Sequence, residues 1–71
     1  MPTHVEAQIA GSVWKVEKAV GDLVQQEEVL LILESMKMEI PVEAPVAGKL
    51  LEVRVREGDS IEEGFVLAVI G

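Results

Sequence analysis

Glu34-Ser35-Met36-Lys37-Met38-Glu39 decides how the rest of this 71-residue chain reads. An apolar run, Val29-Leu30-Leu31-Ile32-Leu33, leads into it. An alternating segment leaves it, with Met38, Ile40 and Val42 on one side and Glu39, Pro41 and Glu43 on the other. The pattern is strand, tight turn, strand, with Lys37 at the tip. A helix over residues 29–40 would set Leu30, Leu33 and Lys37 on one face and end at Pro41. No N-cap pattern leads into a clean apolar stripe, however, and turn signals recur about every ten residues, as in small all-β domains.

The same motif occurs twice. Displaced by 37 residues, the segments 7–34 and 44–71 align, and eight of 28 pairs are identical. Ala7-Gln8-Ile9-Ala10-Gly11 meets Ala44-Pro45-Val46-Ala47-Gly48, Gly21-Asp22 meets Gly58-Asp59, and Val29-Leu30 meets Val66-Leu67. Each copy predicts an extended segment (His4 to Gln8, Met38 to Val42), a turn at Gly11 or Gly48, and a second strand. A Gly-Asp turn follows, then a very short strand (Leu23-Val24, Ser60-Ile61) and a last strand (Val29 to Leu33, Phe65 to Ile70). In the second strand of copy two, Leu51, Val53 and Val55 alternate with Glu52, Arg54 and Arg56, which predicts a buried apolar face. Val13-Trp14-Lys15-Val16-Glu17 is less regular. The expected architecture is all-β: residues 1–71 as one domain, a flattened barrel or sandwich with pseudo-twofold symmetry.

Composition narrows the function. There is no cysteine and one histidine, His4, so neither a disulfide nor a zinc cluster is expected. Thirteen acidic groups against six basic ones give a net charge of −7, which argues against nucleic-acid and anionic-membrane partners. Trp14 and Phe65 are the only aromatic residues, so the core must be aliphatic. No charged-then-apolar leader opens the chain, and no apolar run approaches a membrane span. A soluble cytoplasmic protein is expected. Asp22 and Asp59 read as turn residues, His4 as solvated, and Lys15, Lys18, Lys49, Arg54 and Arg56 as a solvated or docking surface.

A hairpin lysine is ordinarily just a solvated charge. Here its setting changes the reading. Met36-Lys37-Met38 preceded by a small residue, placed centrally in a β-repeat and followed by Ala44-Pro45-Val46-Ala47-Gly48, resembles the attachment site of the biotinyl/lipoyl domain family, closest to biotin carboxyl carrier domains. The likeness spans about residues 4 to 70. It implies two four-stranded antiparallel sheets, related by a quasi-twofold, with the lysine on a protruding hairpin. It also implies that biotin protein ligase joins biotin to Lys37 through biotinyl-AMP. The tethered group then serves biotin carboxylase and carboxyltransferase sites, and the domain itself is not an enzyme. Ser35 stands where many relatives have Ala. Glu27 stands where copy two has Gly64, which predicts a tighter or differently shaped turn in copy one. No Pro/Ala-rich linker precedes the module, so it reads as a stand-alone carrier.

The chemistry asks for presentation. A free lysine amine, of pKa about 10.4, is almost wholly protonated near pH 7, so the modifying enzyme must deprotonate it. A two-residue loop holds the backbone while its side chains project. Attachment then raises the effective concentration of the carried group at successive sites. Met36 and Met38 are adaptable residues that divide between recognition by a partner and core filling. Glu34 and Glu39 are expected to guide the cationic lysine. Lipoyl domains resemble this chain too, but commonly place an acidic residue before the lysine and a small one after it. Met36 and Met38 occupy those places and favour biotin. Lipoylation of Lys37 by lipoyl-attaching enzymes, or a domain that accepts either cofactor, is the first alternative, and an unmodified β-sandwich adaptor the second.

Overall fold

Valine, isoleucine and leucine at alternate positions, punctuated by Gly-Asp turns, produce eight strands. A computed structural model describes residues 1–71. The strands are β1 (Thr3–Glu6), β2 (Gly11–Val16), β3 (Leu23–Val24), β4 (Val29–Ser35), β5 (Met38–Glu43), β6 (Gly48–Val53), β7 (Ser60–Ile61) and β8 (Val66–Ile70). They form two four-stranded antiparallel sheets, ordered β1-β8-β6-β3 and β5-β4-β2-β7. The body measures 32 × 18 × 18 Å.

Each sheet takes its central strands from one copy of the repeat and its edges from the other. β6 and β8 of copy two are flanked by β1 and β3 of copy one. β2 and β4 are flanked by β5 and β7. Neither half could complete its own sheet alone. The expected symmetry reaches single hydrogen bonds. Gly21 N–H donates to the Leu50 carbonyl, and Gly58 N–H to that of Val13, both at 2.8 Å. Asp22 and Asp59 are turn residues as expected. Their carboxylates accept the backbone N–H of Ala19 and Arg56, each at 2.9 Å.

The core is wholly aliphatic, and every buried residue but Val69 falls into one of two clusters. Six pairs match under the 37-residue shift: Ala7 with Ala44, Val13 with Leu50, Val24 with Ile61, Leu30 with Leu67, Leu31 with Ala68, and Leu33 with Ile70. The match breaks at Val55, buried in the core, whose counterpart Lys18 is half-buried and ion-paired to Glu28. Lys18 is therefore not the free surface charge that the sequence predicts.

Four bulges correct the expected alternation. In β6, Leu50 pairs with Ile70 and Glu52 with Val69, so Leu51 is an extra residue. A bulge adds one residue and shifts the face of what precedes it. Leu50 and Val55 are consequently buried, Val53 is half-buried and Leu51 is exposed. Trp14 is the same extra residue in β2, between Val13 and Lys15. Leu30 and Leu67 are the extra residues of β4 and β8, and these two point inward. The irregularity of residues 13–17 is thus the symmetric counterpart of a bulge that the regular-looking residues 51–56 also contain.

The expectation of a different turn at Glu27 is also corrected. Glu27 has φ 72° and Gly64 φ 88°, the same left-handed region. Glu27 N–H donates to the Ala44 carbonyl at 2.7 Å, and Gly64 N–H to that of Ala7 at 2.8 Å. The long-range bond holds the turn in one shape and the side chain accepts the strain.

Candidate attachment site

β4 and β5 run together to the closing pair Ser35–Met38, leaving Met36 and Lys37 as a two-residue loop. Their φ angles are 53° and 64°. Positive φ at both central residues is the type I′ turn, whose twist suits a hairpin and whose usual occupants are Asn-Gly. Neither Met nor Lys is at home there. A left-handed conformation costs a non-glycine residue roughly 1–2 kcal/mol. Two of the three non-glycine residues with left-handed φ, Met36 and Lys37, therefore stand side by side at the tip, Glu27 being the third; such strain often marks functional positions.

The side chains at the tip face solvent. Lys37 is exposed and takes part in no ion pair or side-chain hydrogen bond. Met36 is 93% exposed and Met38 61%. Of the two roles weighed for them, recognition and core filling, the second is therefore excluded. Met36 belongs to the loop and Met38 to the last pair of an edge strand, beyond the reach of the opposite sheet. No cavity adjoins the hairpin, since the one groove of the molecule is lined by residues 4–6, 8, 43 and 45. A group carried on the tip would thus be held by a covalent bond to this exposed amine, and the residues present fit that mode of attachment.

The base of the hairpin is set by a residue read only as a turn former. Gly11 opens β2 with ordinary φ. A Cβ there would lie 2.6 Å from the Glu34 carbonyl oxygen and 3.3 Å from Ser35 Cβ. Gly48 meets the Gly71 carbonyl oxygen in the same way, at 2.8 Å. These glycines permit a close approach of strands. The recurrence of Ala-Gly without an adjacent Asn or Asp in both copies is the signal that could have shown it. One row along the sheet, Ser60, Ser12, Glu34 and Glu39 are successive cross-strand partners. The two glutamates expected near the lysine thus stand opposite one another beneath the turn.

At the other end of β4 lies the Lys18–Glu28 pair. The hydrogen bond to Glu28 raises the Lys18 pKa above its usual value. The same bond, helped by the Gln25 N–H, lowers that of Glu28. Copy two has Val55 and Phe65 at these positions.

An exposed, strained lysine hairpin on a quasi-symmetric pair of four-stranded sheets is suited to carrying a covalently attached group. The family model described as biotin-requiring enzyme, the biotin/lipoyl family, matches residues 1–70, and the chain belongs to that family. It is 48% identical over 63 residues to the biotin/lipoyl attachment protein of Bacillus subtilis, covering 89% of this chain and 86% of that one. It is 49% identical over 70 residues to the "biotinylated protein TB7.3 homolog" of Mycobacterium leprae, covering 99% of both. The dihydrolipoyllysine-residue acetyltransferase component of the Corynebacterium glutamicum pyruvate dehydrogenase complex is 37% identical over the whole chain, which spans 10% of that protein. Among solved structures, the Kluyveromyces lactis urea carboxylase superposes with a TM-score of 0.95 at 34% identity. All of this chain is covered, but only 6% of that one. The chain is accordingly a biotin/lipoyl attachment domain, a carrier and not itself a catalyst.

Proposed function

We propose that Lys37 is the attachment point and that its cofactor is biotin. The exposed Met36-Lys37 turn, strained at both residues, carries this reading. In the modification, biotin protein ligase removes a proton from the Lys37 ammonium. Neutral Nζ would then bond to the acyl carbon of biotinyl-AMP and lose a second proton as the amide forms, with AMP leaving on the electron pair of the broken anhydride bond. Acylation removes the positive charge of Lys37. Bound biotin supplies the site that accepts and releases a carboxyl group. This chain contributes reach, a rigid base and a surface that biotin carboxylase and carboxyltransferase components can recognise. The biotinylated relative and the carboxylase structure support biotin. So does the placing of Met36 and Met38 on either side of the lysine, both accessible to a partner. The net charge of −7 argues against nucleic-acid and anionic-membrane partners, and a cytoplasmic setting is part of the same proposal.

Relatives bearing lipoyllysine favour a second reading, lipoylation of the same lysine. Intact-mass measurement of the protein from its native host, grown with biotin and lipoate, decides between them. A biotin-mass adduct that Lys37→Arg abolishes is expected. A lipoyl-mass adduct would transfer the assignment to the second reading. An unmodified mass would overturn both.

A further inference from the structure

The two long edge strands, β1 and β5, are equivalent under the repeat but are not protected equally. In an antiparallel ladder, hydrogen-bonded pairs alternate with non-bonded ones. Counting from the closing pair Ser35–Met38, Met38 and Ile40 turn their backbone groups toward β4, while Glu39 and Pro41 turn theirs to the free edge. Pro41 has no N–H to present there, and a proline so placed blocks the addition of another strand. His4 stands in the place of Pro41. It pairs with Val69 as Pro41 pairs with Ile32. The N–H of His4 therefore points to the open edge of its sheet, and the proline on the same side, Pro2, lies before the strand begins. Val5 anchors this strand in the core, which makes β1 a fixed template.

A groove of about 250 Å³ runs beside that edge, lined by His4, Val5, Glu6, Gln8, Glu43 and Pro45. It lies between β1 of one sheet and the end of β5 of the other. Its ionisable lining is His4, Glu6 and Glu43, and neither carboxylate is engaged in an ion pair. A second copy of the chain, with its own charge of −7, would bring these carboxylates against their counterparts. An extended segment bearing positive charge complements them.

We propose that β1 and this groove form a strand-addition site for an extended, lysine- or arginine-bearing segment of a partner protein. Backbone hydrogen bonds to an edge strand provide affinity in such sites, and alternate side chains provide selectivity. The incoming backbone carbonyl accepts the His4 N–H, and its cationic side chains meet Glu6 and Glu43. The site is remote from the hairpin and does not depend on what Lys37 carries.

The probe is the capped hexapeptide Lys-Val-Lys-Val-Lys-Val, titrated at low salt against the intact protein with amide NMR as the readout, beside its Glu-Val counterpart. Saturable shifts at His4, Val5 and Glu6 are expected with the lysine peptide and none with the glutamate one. His4→Pro copies what β5 already tolerates at Pro41, so the fold should persist, with unchanged hairpin resonances. Loss of one backbone hydrogen bond weakens binding about fivefold to tenfold. Glu6→Lys with Glu43→Lys should reverse the preference between the peptides. Shifts spread over the acidic surface and insensitive to His4→Pro would overturn the proposal. So would self-association through β1, which would make a second copy the occupant, or an absence of binding.

Discussion

Glu34 and Glu39 face each other across the β4–β5 ladder, one pair below the Ser35–Met38 closure that supports Lys37. Like charges directly opposite in a sheet destabilise it. Their position beneath the tip supports a role in drawing the cationic lysine toward its ligase. Glu39→Gln should therefore stabilise the domain by roughly 0.2–1 kcal/mol, read from denaturant midpoints. Glu34→Gln with Glu39→Gln should lower kcat/KM for biotinylation severalfold at low ionic strength, an effect that fades as salt screens the charges. An unchanged kcat/KM would remove the guiding role.

The strained turn makes a prediction of opposite signs. Met36→Asn places a residue suited to left-handed φ at the first loop position. Relief of strain should stabilise the fold by about 1 kcal/mol, raising Tm by about 4–8 °C. The same change removes an exposed side chain beside Lys37, and biotinylation should slow. A variant that is both more stable and modified as fast as the wild type would separate the methionine from recognition.

Glu27 offers the same test away from the hairpin. Glu27→Gly gives copy one the residue that copy two already has in this turn and should stabilise by about 1 kcal/mol. Gly64→Ala should destabilise by a similar amount, because its φ of 88° is unfavourable for alanine. Thermal melts of the two variants should shift in opposite directions.

Gly11→Ala should be costly for a local reason. The new methyl would meet a backbone carbonyl oxygen, which cannot swing aside as a long side chain can. Overpacking of this kind costs about 1–3 kcal/mol. Because the oxygen belongs to Glu34, the hairpin base must move, and both stability and the biotinylation rate of the folded protein should fall. Gly48→Ala provides the control. Its clash is with Ile70 and Gly71, so stability should fall while the folded protein is modified normally.

The Lys18–Glu28 pair predicts a pH window. The pKa of Glu28 is lowered from 4.5 in the fold, so its contribution is present above that value and lost as pH falls through the lowered one. The pKa of Lys18 is raised from 10.5, so its contribution is present below that value and lost as pH rises through the raised one. The difference in denaturant midpoint between wild type and Lys18→Met should be level between these limits and shrink outside them. A difference that persists once Glu28 is protonated in the folded protein would assign the effect to packing of the lysine stem.

The strands, the repeat and the lysine hairpin were legible in the order of residues alone. Period-two alternation, Gly-Asp turns and matched apolar positions are local signals, and a 37-residue shift makes each copy a check on the other. The tip was legible although it lacks the usual Asn-Gly, because the apolar and alternating runs on either side left only residues 34–37 between them. What tertiary structure decided are relations between distant segments. Whether a bulged residue faces in, as Leu30 and Leu67 do, or out, as Trp14 and Leu51 do, depends on the register of the strand beside it. The role of Gly11 depends on the carbonyl of Glu34 crossing it, and the conformation of Glu27 is held by a bond to Ala44. The contrast between Pro41 and His4 acquires meaning only once β5 and β1 prove to be edges. Periodicity specifies how a segment alternates. It carries no information about which neighbour crosses it, and that neighbour decides burial, close approach and the direction of every backbone donor.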